Sequence, residues 1–557
     1  MTRLRMRHML GLALVSPPVL IAQVTTAQYD NARTGAYLAE TTLTPRNVNA
    51  ATFGRTHVIE VDGDVYAQVL YLPSVDIRGK GTHSVIFVAT EHNSVYAFDA
   101  VSPSAPLWHV DLSSVVPGAK PVPARDVHCP FMRPEVGITA TPVIDTTSGT
   151  IYVLARTKEH GDYVQRLHAL DVTSGAARRP PVVIRAASRG AGAGSGGGIV
   201  SFDPLRENPR AALLLSHGRV VIAWASSCDV GPFHGWIMAF DARSLAKRAV
   251  LNLTPDGTGG GIWQGDAGLA ADQDGAIYAV TGNGTFDAGD GSAGRDYGDT
   301  VLRLTLTARG FTVSDFFTPD DQKILEERDG DLGAGGPLLL PDQPGAHPHL
   351  VLVGGKGRGV YLLDRDRMGK FDPTGNQAAV QTMEAPGMVM GASAYWNGHV
   401  FTLWSRGVIQ DFALSNGRLS ANPVARGAHI FTDPGATPTI SANGARDGIV
   451  WVLETKTWNG DDRPAVLHAY DAANVAVELY SSESNARRDR AGTALRFTIP
   501  TVAGGRVYVG AKGEVDVYGL RMLPGKGLPH RTPTRPASRP TPTPRLGDAR
   551  HEPNLAR

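Results

Sequence analysis

Eight times along this chain a hydrophobic strand pair recurs around a polar turn, and several copies close on an aromatic or aliphatic run ending in aspartate. The clearest copies run over 85–99 (VIFVATEHNSVYAFD), 151–171 (ending LHALD), 220–241 (ending IMAFD), 350–364 (ending VYLLD) and 449–471 (ending LHAYD). Weaker copies lie at 276–304, 399–414 and 506–520. Self-similarity at roughly 50–70 residues, with strand period and no helical period, points to a radial array of small sheets. One such sheet cannot bury both its faces alone, so the units must pack on one another around an axis.

Punctuation divides each unit into four strands. A short run flanked by glycine or proline comes first, then the pair, then a strand that often carries an aromatic, as in 106–111 (PLWHVD). First-strand candidates fall at 65–72, 137–144, 211–215, 265–271, 333–340, 391–395, 437–441 and 497–502, which matches the eight pairs. The sequence therefore predicts an all-β, eight-bladed β-propeller with four-stranded antiparallel blades. The last blade stops near Leu520 without an outer strand, and 53–62 (FGRTHVIEVD) would supply it. Such closure removes the exposed edges that make open sheets prone to aggregation. Removing residues 45–65 should then abolish cooperative folding.

The 557 residues divide into a signal peptide (1–27), a lead-in segment (28–52), the propeller (53–520) and a tail (521–557). Arg3, Arg5 and Arg7, a short proline-broken apolar run and small residues before Ala27 describe a cleaved secretory signal, so the expected location is secreted or periplasmic. No other segment is long and apolar enough to predict a transmembrane span. The overall charge of +1 hides a partition, because both ends are basic and 28–521 sums to −7. A mildly acidic body gives no support to nucleic-acid binding. The tail, LPHRTPTRPASRPTPTPR and its surroundings, has a composition that predicts disorder. Two cysteines in an exported chain, Cys129 and Cys228, invite a disulfide.

The pattern of strand, glycine-containing turn, (V/L)(Y/H)A(F/L/Y)D and a Trp-bearing strand resembles the pyrroloquinoline-quinone (PQQ) propeller repeat over about residues 53–520. That superfamily of quinoprotein-like propellers includes quinone-using alcohol dehydrogenases and also propellers without a cofactor. In the dehydrogenases an adjacent cysteine pair closes over the cofactor. Here the cysteines are far apart in sequence, and there is no C-x-x-C-H haem motif to receive electrons.

In a propeller the loops between second and third strands and those leading into each first strand emerge on one rim, which is where long loops collect function. Both cysteines fall on that rim in adjacent blades. Candidate ligand-binding residues there are Glu91 and His92 at the first blade's turn, Glu135, His234 and Trp236 near the cysteines, Asn283 in the fourth-blade loop and Lys356 in the fifth. The segment 259–266 (GGGIWQGD) offers glycines for close backbone approach, Trp263 as a flat stacking surface, and Gln264 and Asp266 as polar contacts. No close-spaced zinc-type ligand pair accompanies the cysteines, so no metal site is expected. The glycine run at 190–198 lacks a following Lys-Ser/Thr, no EF-hand spacing occurs, and no G-x-S-x-G string appears.

Without a compact catalytic constellation, the residues read first as a module that binds a small molecule, glycan or protein at the rim. The alternative is a PQQ-dependent dehydrogenase of alcohols or sugars, which needs a quinone with calcium and a carboxylate to take the hydroxyl proton. A polysaccharide-cleaving enzyme would need paired carboxylates, for which Glu91, Glu135 and Asp266 are the candidates.

Overall fold

The computed structural model describes residues 22–265, 267–289, 294–456 and 462–521. The expected signal (but for 22–27) and the tail (but for Arg521) lie outside the described residues, as does Asp266. Eight small antiparallel sheets form the ring. Blade 1 shows the plan, with strands Leu70–Ile77, Gly81–Ala89, Ser94–Asp99 and Pro106–Asp111 hydrogen-bonded in that order. The two middle strands are buried along most of their length, because neighbouring blades cover both faces. The outermost strand alternates in exposure. Continuous apolar runs in the strand pairs follow from this two-sided burial.

The aspartate that ends each signature strand opens the next turn. Its side chain accepts backbone N–H bonds two or three residues on, from Val101 and Ser102 to Asp99, Thr173 to Asp171, Ser244 to Asp241, Asp366 to Asp364 and Ala473 to Asp471. This is the Asx turn, in which a short carboxylate replaces a backbone acceptor. In blades 2 and 3 the residue after the aspartate receives an aromatic donor from the preceding blade. Trp108 Nε1 donates to the Val172 carbonyl (3.0 Å), and the Tyr152 hydroxyl to that of Ala242 (2.8 Å). One motif thus both ends a strand and rivets two blades.

Closure is as the sequence predicts. Phe53–Glu60 pairs antiparallel with Glu514–Leu520 in the register Phe53↔Leu520 to Glu60↔Glu514. Arg55 reaches the buried Asp516 at 2.9 Å, and the Phe53 ring packs against Trp451, Tyr480 and Tyr518.

The lead-in segment has a role that no strand pattern announces. From Val24 to Gly35 it crosses the channel axis and bonds to the inner strand of every blade. Val24 pairs with Tyr71, the Ile144 amide donates to Thr25, and Asn31 bridges the Leu215 carbonyl and the Ala271 amide. The amides of Leu339, Tyr395 and Ile440 donate to Ala32, Thr34 and Gly35, and the Val502 amide donates to the Tyr29 hydroxyl. Gly35 is required there, since its φ is +70° and a Cβ would sit 2.9 Å from that of Ala394. Arg33 is fully buried and anchors the plug through Thr26 Oγ1 (2.8 Å) and the carbonyls of Ala27 (2.7 Å) and Leu269 (2.9 Å). The end of the expected signal therefore overlaps the plug, and a chain cut after Ala27 loses the Val24 and Thr26 contacts. Among the described residues no helix is long and apolar enough to cross a membrane.

Candidate functional site

The inner strands begin later than the sequence pattern predicts. Ladders start at Ala270, Leu338, Ala394 and Thr501, although the apolar runs begin at Gly265, Gly333, Gly391 and Phe497. The residues just before these strands line the channel, and around them opens a cavity of about 370 Å³. Gly265, Ala334, Met390 and Phe497 border it, while the plug bonds a few residues further along the same strands. One end of the channel is stoppered and the other holds the cavity.

Cys129 and Cys228 form a disulfide in the cavity wall, with Cα atoms 5.3 Å apart. Trp263 lines the cavity, held edge-on by Phe233 at a centroid distance of 6.2 Å. Gly282 makes this possible, because a Cβ there would collide with both Trp263 and the Asp331 carboxylate. Lys356 lies 2.9 Å from Asp329 and 2.5 Å from Asp331. Asn283 orders this group: its side-chain nitrogen donates to Asp329 Oδ1, its backbone N–H donates to Asp331 Oδ1, and its Oδ1 accepts from the Asp331 amide. Burial works against the Lys356 charge, but the two carboxylates outweigh it and raise the ammonium above its ordinary value. Burial pushes the Asp331 carboxyl up, and Lys356 opposes that shift.

Asp229 shares the wall. Part of the residue is exposed to solvent, yet partial burial of its carboxyl, with the neighbouring charge of Asp331, pushes it up to about 6. Two arginines complete the lining. Arg496 lies 3.5 Å over the Phe131 ring, and Arg210 lies 5.1 Å over Phe497 and 5.7 Å over Tyr66. Guanidinium on aromatic faces keeps planar, cationic groups in place at the cavity surface.

Of the residues singled out by sequence, the structure brings Trp263, Lys356, Cys129 and Cys228 to the cavity, with Asn283 directly behind. The others sit elsewhere. Glu91 is buried between blades 1 and 2, where it accepts from the Gly137 amide (2.6 Å) and Thr139 hydroxyl (2.8 Å), and burial pushes its carboxyl up to about 7. His92 meets Glu135 at 2.5 Å, away from the cavity lining. Trp236 is wholly buried and donates to Glu207 at 3.2 Å, while His234 is held between the carbonyls of Thr254 and Ala193. Gln264 is fully buried. Sequence reasoning did not single out Arg210, Asp229, Asp331, Arg496, Phe131 or Phe497. A signal existed, since Arg210 and Arg496 immediately precede first-strand candidates, where the chain faces the axis.

No family of known sequences matches this chain, and no curated protein does. Solved structures do. The quinohemoprotein alcohol dehydrogenase of Comamonas testosteroni aligns over 91% of this chain and 82% of its own, with a TM-score of 0.58 and 14% identity. A quinohemoprotein alcohol dehydrogenase of Pseudomonas putida gives the same TM-score and identity over 93% and 82%. A europium-containing methanol dehydrogenase gives a TM-score of 0.53 and 13% identity over 90% and 98%. At this identity the likeness is one of fold.

Proposed function

We propose that this chain, a propeller of the quinoprotein-like fold, is an exported quinone-dependent dehydrogenase that oxidises an alcohol or sugar, with its cofactor in the channel cavity. The observation that carries the reading is the donor set gathered there. A flat indole, a disulfide, a lysine paired with carboxylates and two arginines surround one cavity of about 370 Å³. That volume is within the range of small-molecule sites, roughly 300–1,000 Å³. A planar aromatic o-quinone bearing several carboxylates asks for such partners, namely a stacking face and fixed cations. The separated cysteines argue less against this reading than the sequence implies, since folding brings them to the cavity wall.

PQQ would stack on Trp263, with Arg210, Arg496 and Lys356 on the surrounding wall. The quinone would supply the acceptor for a hydride, that is two electrons and one proton, from the carbinol carbon. The chain's own part is to orient the substrate and take the hydroxyl proton. Asp229 suits that task, because a carboxyl with a pKa of about 6 is mostly ionised at neutral pH yet basic enough to share a proton. Asp331 is held by Lys356 and Asn283 and serves to position the lysine. The disulfide supports an oxidising compartment, periplasmic or extracellular.

The test is dye-linked oxidation by purified protein supplied with PQQ and calcium, over a panel of primary alcohols, secondary alcohols and aldoses. Quinone-dependent dye reduction is expected, falling about 100-fold in Asp229→Asn as general-base loss does. Tight quinone binding with no oxidation of any substrate would leave a binding module instead.

A further inference from the structure

Blade 7 gathers a second set of chemistry-bearing side chains that the cavity does not use. Glu454 ends the strand Arg446–Glu454, His468 sits in the adjoining strand Val466–Asp471, and His429 precedes the inner strand Thr439–Asn443. His429 Nε2 is 3.2 Å from Glu454 Oε2, and His468 Nε2 is 3.8 Å from the same oxygen. One ligand atom from each of the three lies within 4.8 Å of the others.

Glu454 Oε2 receives His429 Nε2 and Lys456 Nζ at 3.2 Å each, while His468 Nε2 stays 3.8 Å away. His468 is 3% exposed, and its Nε2 has no hydrogen-bond partner among the described residues. Its Nδ1 lies 2.7 Å from Glu478 Oε1 and its Nε2 faces Glu454, so the neutral ring, with Nδ1–H donating to Glu478, would present its Nε2 lone pair to an ion there. Glu454 Oε1 accepts from the Thr432 amide and hydroxyl, which turns Oε2 toward the imidazoles. The Phe431 ring packs edge-on to His429 at 4.7 Å and against His468 at 5.1 Å, fixing both rings. A buried imidazole nitrogen with no partner is costly, and something with an empty orbital would relieve it.

We propose that His429, Glu454 and His468 bind a divalent transition-metal ion of the zinc class, leaving a fourth position open toward solvent. Tetrahedral zinc with bonds of about 2.0–2.1 Å requires donor atoms about 3.3 Å apart, so the two spacings to Glu454 need shifts of up to about half an ångström and the His429–His468 spacing, within 4.8 Å, up to about 1.5 Å. Two imidazoles and one carboxylate suit zinc and its neighbours better than calcium or magnesium. The Glu478 bond to Nδ1 is the outer partner that metal-bound histidines use to fix their tautomer. His429, with its side chain 34% exposed, provides the way in. Lys456 Nζ competes, lying 3.2 Å from Glu454 Oε2, but its side chain is also 34% exposed and can leave when a doubly charged ion arrives. The three ligands come from separate segments, which is why no close-spaced pair reveals them in the sequence.

The experiment is titration of the chelator-treated full chain with Co(II), followed by displacement with Zn(II). Saturation at one equivalent is expected, with the visible absorption of four-coordinate Co(II) that disappears on adding Zn(II). His429→Ala, at a partly exposed position outside the strands, should keep the circular dichroism of the parent and weaken binding by about 100-fold or more. Lys456→Met should tighten it. Absence of saturable Co(II) binding in the parent would overturn the proposal, as would binding unchanged in both His429→Ala and Glu454→Gln.

Discussion

The two ends of the central channel share the same inner strands and treat polar groups in opposite ways. At the plugged end every blade contributes a main-chain bond to residues 24–35, and the Arg33 charge is sealed among carbonyls and a hydroxyl. At the cavity end the same strands give up their ladders early, and charged side chains collect around open space. The plug converts chain into structure. The cavity gathers charged side chains and ring faces around open space, the arrangement on which the proposed quinone site rests.

Changes at the plug should therefore damage stability and spare the ligand, and the reverse should hold at the cavity. Arg33→Ala leaves buried acceptors empty and should cost about 3–5 kcal/mol in denaturant melts, with quinone affinity of the remaining folded protein unchanged. Equal loss of affinity would break the distinction. Replacing both cysteines by serine removes a link between residues 99 apart in sequence, and about 2–4 kcal/mol of stability should go with it. Because this bond also borders the cavity, ligand affinity should fall too, making it the one change that affects both. Trp263→Ala should weaken quinone binding by roughly 1–3 kcal/mol, the worth of one aromatic stack, while the melting temperature of the ligand-free protein moves little.

The smallest effect concerns Glu91, which serves stability though it sits on the cavity-side rim. Its folded pKa is raised to about 7 from 4.5 by burial, so the folded state binds the extra proton. Its contribution is fully present below pH 4.5 and is lost as pH rises through about 7. Glu91→Gln should flatten the fall in stability across that window, measured by melts at constant ionic strength, without altering ligand affinity.

Much of the architecture is legible in the chain. The aspartate-ended strands announce eight blades because each aspartate has a local job, opening a turn, that leaves a fixed residue at a fixed place. Closure by 53–60 is legible because an unpaired edge needs a strand and that segment alternates like one. The plug is not, since QVTTAQYDNARTG binds mainly through its backbone and so carries no side-chain period. Within the cavity, Trp263, Lys356 and the cysteines stand out as unusual residues on long loops. Arg210 and Arg496 carry only the positional hint of preceding first-strand candidates, because their role depends on how far the inner strands stop from the axis, and Asp229, in the loop between Arg219–Ser226 and Trp236–Asp241, looks like any turn aspartate. His429, Glu454 and His468 meet only through strand register, and His468 is hidden inside a repeat signature.

The central claim is that the cavity holds a planar quinone. It is tested most directly by melting the purified full chain with increasing PQQ in the presence of calcium, beside the Trp263→Ala variant. A saturable rise is expected for the parent, equivalent to about 2.7 kcal/mol at a hundredfold excess over the dissociation constant, and a much smaller one for the variant. A parent whose melting temperature stays fixed at every PQQ concentration would contradict it.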